Sequence, residues 1–115
     1  MNTKRGLIPV FVYGTLRKGA KSNSIMNGAL YFSPDKTVTG YRLAKLDNLP
    51  GMIYTGEPAQ VVGDLYLLTA GHVKRLDTFE DKRYKREEIA LESGRWAYAY
   101  LLPSANGEVN SSDWS

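Results

Sequence analysis

Ten residues near the start, Val10-Phe11-Val12-Tyr13-Gly14-Thr15-Leu16-Arg17-Lys18-Gly19, constrain the fold more than any other part of the chain. A continuous apolar run breaks off into a polar loop bracketed by glycines. Such a run, without polar alternation, predicts a strand buried on both faces, here over residues 7–13. Gly14 at its end lets the backbone come close to a ligand, because it has no Cβ to obstruct the approach. The stretch therefore predicts a central strand that delivers amide donors to a pocket, a place for a carboxylate or a developing oxyanion. A tight strand-to-helix connection is the plainer alternative. The loop matches neither the G-x-x-x-x-G-K-[ST] nor the G-x-G-x-x-G phosphate-binding pattern.

The chain has 115 residues, enough for one domain over 1–115 and one core, with 43% hydrophobic residues and eight tyrosines. The absence of cysteine removes disulfides, thiolate nucleophiles and Cys-ligated zinc, and a single histidine argues against a His-rich metal site. The formal net charge is +3. Acidic residues interrupt the basic ones, as in Lys82-Arg83-Tyr84-Lys85-Arg86-Glu87-Glu88, so no nucleic-acid-binding stripe is expected. The basic start, Met1-Asn2-Thr3-Lys4-Arg5-Gly6, is followed by too short an apolar run for a signal peptide, and that run contains Pro9. No apolar stretch reaches the roughly 20 residues of a membrane helix. These features lead to the expectation of a soluble, cytoplasmic protein without a membrane partner.

Further along, Ser22-Asn23-Ser24 offers N-cap chemistry for a short helix ending at Asn27-Gly28. Strands are expected over residues 29–32 and 37–46, around a Ser33-Pro34-Asp35 turn. Asp47-Asn48-Leu49-Pro50-Gly51 reads as a loop. A strand over residues 60–68 contains Gly63, a sign of a bulge or a close backbone approach. Thr69 caps the one clear helix, residues 70–79. Strands over 84–91 and 96–102 follow. In the last, Trp96, Tyr98 and Tyr100 alternate with Ala97, Ala99 and Leu101, so rings face one side and small groups the other. Five or six strands with one main and one short helix predict an α+β fold built on a curved mixed sheet or small barrel.

Among candidate catalytic groups, Glu80 stands out. Val73, Leu76 and Glu80 lie at i, i+3 and i+7, which puts a carboxylate at the C-terminal end of an apolar stripe. Partial burial and the negative end of the helix dipole would both raise its pKa, as a general base working near neutrality requires. The competing reading is a surface glutamate paired with Arg83 or Arg86. His72, the lone histidine, is expected on the surface. Asp77 and Asp81 read as a solvated helix edge rather than a metal pair. No G-x-S-x-G elbow or Ser/His/Asp set is present.

Four segments, in order and spanning nearly the whole chain, resemble the gamma-glutamylcyclotransferase family in its small AIG2-like branch. They are Val10 to Gly19 with its Y-G-T-L loop; Leu46-Asp47-Asn48-Leu49-Pro50-Gly51-Met52-Ile53-Tyr54; Leu76-Asp77-Thr78-Phe79-Glu80-Asp81-Lys82-Arg83-Tyr84-Lys85-Arg86, similar to the family's L-D-x-x-E-G-x-x-Y-x-R; and Val109-Asn110-Ser111-Ser112-Asp113-Trp114, similar to its closing S-G-D-W. Asp81 and Ser112 stand where the family usually or often has glycine.

The resemblance implies a small-molecule gamma-glutamyl amide substrate whose own α-amine attacks the γ-carbonyl, giving 5-oxoproline and a free amine. No enzyme nucleophile, metal or cofactor is implied. Glu80 would be the general acid/base. Tyr13, Gly14, Thr15, Leu16, Arg17, Tyr84 and Tyr98 (or Tyr100) would surround the substrate, with the amides of the loop holding its carboxylate or the oxyanion. Asp81 would either raise the Glu80 pKa further or point to solvent. A binding module that keeps the fold without turnover is the alternative, and an interaction protein with an aromatic surface is a third. A monomer or weak homo-oligomer is expected.

Overall fold

The apolar run becomes β1 (Ile8–Val12), and it lies inside the sheet as its composition predicts. The structure is a computed structural model that describes residues 6–109. The other strands are β2 (Leu30–Lys36), β3 (Tyr41–Leu46), β4 (Leu49–Tyr54), β5 (Val62–Leu68), β6 (Lys85–Ala90), β7 (Trp96–Leu101) and β8 (Gly107–Glu108), and one α-helix, α1 (Ala70–Phe79), follows β5. The order across the sheet is β2-β5-β1-β7-β4-β3-β8, with β6 on β7. Pairing is antiparallel except where β1 and β4 each meet β7 in parallel. The sheet curls until Thr37, just beyond β2, bridges Leu91, just beyond β6. This is the curved mixed sheet of an α+β fold, with eight strands among the described residues rather than five or six.

Side chains alternate between two cores, as the period of a strand requires. Phe11, Leu65, Ile89, Ala97, Ala99 and Leu101 pack inside the curl with Met52 and Val61. Val10, Val12, Tyr66, Leu68 and Tyr100 face the other way, onto Val73 and Leu76 of α1 and onto Met26. β1 thus contributes to both cores, which explains its unbroken apolar run. In β7 the small side chains go inside and Tyr98 and Tyr100 lie on the helix side, the division expected from the alternation. Gly63 on β5 marks a close approach: a Cβ there would stand 2.2 Å from the Val12 carbonyl oxygen.

Several local expectations are corrected. Ser33-Pro34-Asp35 is no turn; it lies inside β2, where Pro34 pairs with Asp64 across a bulge between Tyr31 and Ser33. β2 ends the sheet order, so the missing N–H of proline is tolerated there. The expected strand over 37–46 is interrupted near Gly40, which takes φ 119°. The loop at residues 47–51 shrinks to Asp47-Asn48, with φ 50° and 73°, a two-residue turn of the kind that joins tight hairpins; Leu49, Pro50 and Gly51 already belong to β4. The short helix is a 3₁₀ turn, Asn23–Met26, without a side-chain cap at Ser22.

Thr69 caps α1 as expected, its hydroxyl accepting the His72 N–H at 3.1 Å. His72 itself is not on the surface. It is 2% exposed, with Nε2 2.7 Å from the Ile25 carbonyl oxygen. Four residues before Leu76, it shares the buried stripe of the helix.

Candidate functional site

The site begins where the sheet divides. β6 pairs with all six residues of β7 along one edge, so β1 and β4 share the other. β1 joins at Tyr98 and β4 at Leu101, and between those points the two strands separate. The Tyr13 hydroxyl closes the gap. It accepts the Met52 N–H at 3.1 Å and donates to the Tyr100 carbonyl oxygen, meeting two backbone groups that the fork removes from the ladder. A cleft containing about 480 Å³ of empty space, open to solvent, lies against this fork.

One wall is the end of β1 and the turn after it. Gly14–Leu16 form a 3₁₀ turn, which Gly14 enters with φ 61°, a conformation costly for any residue with a Cβ. The Leu16 N–H reaches the Tyr13 carbonyl at 3.4 Å and the Arg17 N–H reaches that of Gly14 at 3.2 Å. The N–H groups of Gly14 and Thr15 come too early in the turn to have such partners, and none is found for them among the described residues. The row of donors expected from sequence is therefore a pair. Phe11, Val12, Tyr13, Thr15, Leu16 and Ser22 line this side of the cleft.

A buried carboxylate holds the wall in place. Asp64 on β5 is 2% exposed and accepts the Lys18 N–H at 2.8 Å and two Arg17 nitrogens at 3.3 Å each. Asn23 fastens the far side of the loop, donating to the Leu16 carbonyl at 2.9 Å and to the Tyr66 hydroxyl at 3.1 Å. Asp64 was not singled out from sequence, and Asn23 was read only as part of a helix cap. Asp64 sits in an otherwise apolar strand, and that interruption was the available signal.

The opposite wall is the end of α1. Glu80 is the C-cap: its N–H still reaches the Leu76 carbonyl at 3.0 Å while its backbone is already extended (ψ 150°). The helix thus ends with the Glu80 side chain half-buried in the cleft beside Phe79, Tyr84 and Tyr100. Among the described residues no hydrogen bond or ion pair reaches its carboxylate. Burial, and secondarily the charge of Asp81, push its pKa from the ordinary 4.5 up to about 7. Its neighbour behaves oppositely. Asp81 is exposed and gripped by Arg83 through the side chain and the backbone N–H, all at 2.9 Å, which holds its carboxyl well below the usual range. Asp81 thus both points to solvent and raises the Glu80 pKa. Burial and the nearby Glu80 and Asp81 charges keep the Tyr84 hydroxyl protonated, and it donates to the Pro50 carbonyl.

Tyr100 supports this wall from below. Its hydroxyl donates to Asp77 at 2.5 Å, and Asp77 also takes a two-pronged contact from Arg86 at 2.9 and 3.1 Å. Burial works to raise the Asp77 pKa, but these bonds outweigh it and lower it. Asp77 is thus an exposed edge charge, as expected, that also serves as a structural acceptor.

Of the sequence-named site residues, Tyr13, Thr15, Leu16, Glu80 and Tyr84 line one cleft. Gly14 shapes the turn without lining it. Arg17 is drawn away onto Asp64. Tyr98 lies at the β1 edge of the fork, with Arg86 over its ring at 5.0 Å, whereas Tyr100 lies within the fork and is the tyrosine of β7 in the cleft. Val109 begins the fourth sequence segment, and its remainder, from Asn110, falls outside the described residues. Among the described residues no helix is long and apolar enough to cross a membrane, and no group of three His, Asp or Glu side chains is arranged to hold a metal ion.

Known proteins resemble the chain over most of its length. The family model described as gamma-glutamyl cyclotransferase, AIG2-like, matches residues 10–115. A Vibrio cholerae protein provisionally named a gamma-glutamylcyclotransferase is 30% identical over 109 residues, covering 91% of this chain and 93% of its own. The gamma-L-glutamyl-butirosin B gamma-glutamyl cyclotransferase of Niallia circulans is 29% identical over 118 residues, covering 91% and 74%. The crystal structure of an AIG2-like protein from Mus musculus shares the fold, with a TM-score of 0.74 at 22% identity over 91% of this chain and 89% of the mouse one.

Proposed function

Because the chain belongs to the AIG2-like gamma-glutamyl cyclotransferase family, we propose that it cleaves a gamma-glutamyl amide by internal cyclisation, releasing 5-oxoproline and an amine. The observation that carries this reading is Glu80: a half-buried carboxylate, unpaired among the described residues, with its pKa pushed up to about 7, in one cleft with Thr15.

The reaction needs proton transfer and positioning and little else. The substrate α-ammonium gives a proton to Glu80. The freed amine attacks the γ-carbonyl, and a five-membered ring closes as the C–N bond to the amine breaks. Glu80 returns a proton to the departing nitrogen, and the ring nitrogen loses its second proton, so the amine leaves as an ammonium ion. A carboxylate with a pKa near the working pH both accepts and donates efficiently. Ring closure within one bound molecule gains from holding the folded-back conformer. Of the two turn amides, that of Thr15, which lines the cleft, is the donor placed for the substrate carboxylate or the oxyanion, and such a donor is worth roughly 3 kcal/mol. Tyr84, kept protonated, holds the base of the Glu80 wall.

The test is to incubate the protein with a panel of gamma-glutamyl amides and follow 5-oxoproline by mass spectrometry. Turnover is expected, and Glu80→Gln should lower it by roughly 10²–10⁴-fold. Undiminished turnover in that variant overturns the role given to Glu80, and no turnover of any amide overturns the function.

A further inference from the structure

Resting on that reading, the cleft also bears on which amine leaves. Glu80 returns a proton to the leaving nitrogen, so that nitrogen lies within about 3 Å of the carboxylate. The amine's substituent must then extend past the side chains next to Glu80 on the open side of the cleft. Phe79 is one of them. It lines the cleft yet is 52% exposed, and it belongs to none of the three core clusters. A large apolar ring left half in water beside a reactive group is surface that an apolar ligand can cover.

Charge points the same way. Besides Glu80 and the tyrosines, the described lining residues carry no ionisable side chain. The two aspartates flanking this corner are already engaged, Asp77 by Arg86 and Tyr100 and Asp81 by Arg83. Neither is spare for a cationic substituent; against an anionic one the two arginines are equally occupied, and Lys82 is exposed beside Asp81 rather than lining the cleft. A charged substituent entering here would shed water without gaining a partner.

We infer that the preferred substrates are gamma-glutamyl amides of uncharged, apolar amines, with Phe79 the specificity-determining side chain against which the amine's hydrocarbon lies. The test compares kcat/KM for three amides matched in length: gamma-glutamyl pentylamide, its 5-aminopentyl analogue and gamma-glutamyl-5-aminopentanoate. The wild type should favour the pentylamide at least tenfold. Phe79→Ala should collapse that ratio roughly tenfold, whereas Phe79→Leu, still apolar, should retain most of it. A wild type that turns over either charged amide as fast overturns the inference while leaving the proposed function intact. So does a Phe79→Ala loss that is equal on all three. Release of 5-oxoproline from none of them, while another gamma-glutamyl amide of the panel is turned over, overturns the inference alone; no release from any amide of the panel overturns both.

Discussion

The two walls of the cleft are built on opposite principles. On the β1 side the one buried carboxylate, Asp64, is saturated: two contacts from Arg17 and one backbone N–H from Lys18 leave it no room to act. On the α1 side Glu80 has the reverse treatment, partly buried and given no partner among the described residues. Asp81, one residue later, has an arginine of its own and keeps its charge easily. Around the cleft the acidic groups that hold structure are paired, and Glu80, without a partner among the described residues, is the one whose proton can move near neutral pH. What separates them is the partner more than the depth, since Asp64 is the more deeply buried.

The largest effect should come from relieving the unpaired wall. The folded state favours protonated Glu80, so between pH 4.5 and about 7 it holds a proton that the unfolded chain has released. Stability therefore falls as pH rises through that window, by up to about 3 kcal/mol. Glu80→Gln removes this dependence. Chemical denaturation should find the variant more stable than wild type at pH 8, by an amount approaching that figure, and little different at pH 4.5. Equal stability at pH 8 would mean that Glu80 is paired after all, and the contrast between the walls would be lost.

Asp64→Asn tests the saturated wall. It keeps an acceptor for Lys18 but loses the charge facing Arg17, at about 2 kcal/mol. On the proposed function, steady-state kinetics should show a raised KM with kcat nearly unchanged where the loop holds the substrate carboxylate, and a lowered kcat where it holds the oxyanion. Smallest of all, Asp81→Asn removes the secondary cause of the raised Glu80 pKa. The acidic limb of the pH–rate profile should move down by a fraction of a pH unit, and a shift upward would reverse the sign of the coupling.

The elements that could be read from sequence were those whose signal is local. β1 was legible because a strand packed on both faces has no polar alternation, and Glu80 because the helical period places it on the Val73–Leu76 stripe. Asp64 was missed because its reason for burial, Arg17, is 47 residues away in sequence. His72 lies on that same helical stripe, but its burial depends on Ile25, reached only through tertiary packing. Pro34 looked like a turn because propensity cannot tell that its strand ends the sheet order. The choice of Tyr100 over Tyr98 depended on where β7 meets the fork, a matter of register between distant strands.

Tyr13 has a consequence for binding itself. A cleft made from mobile loops must be ordered when its ligand arrives, and association is weakened by that ordering. Here the hollow lies where two strands part, and a phenol takes the place of the missing peptide between them. The floor of the cleft is thus tied by hydrogen bonds to both β4 and β7. A ligand meets a concavity that already exists, and most of its contact energy there can go into aligning the atoms that react.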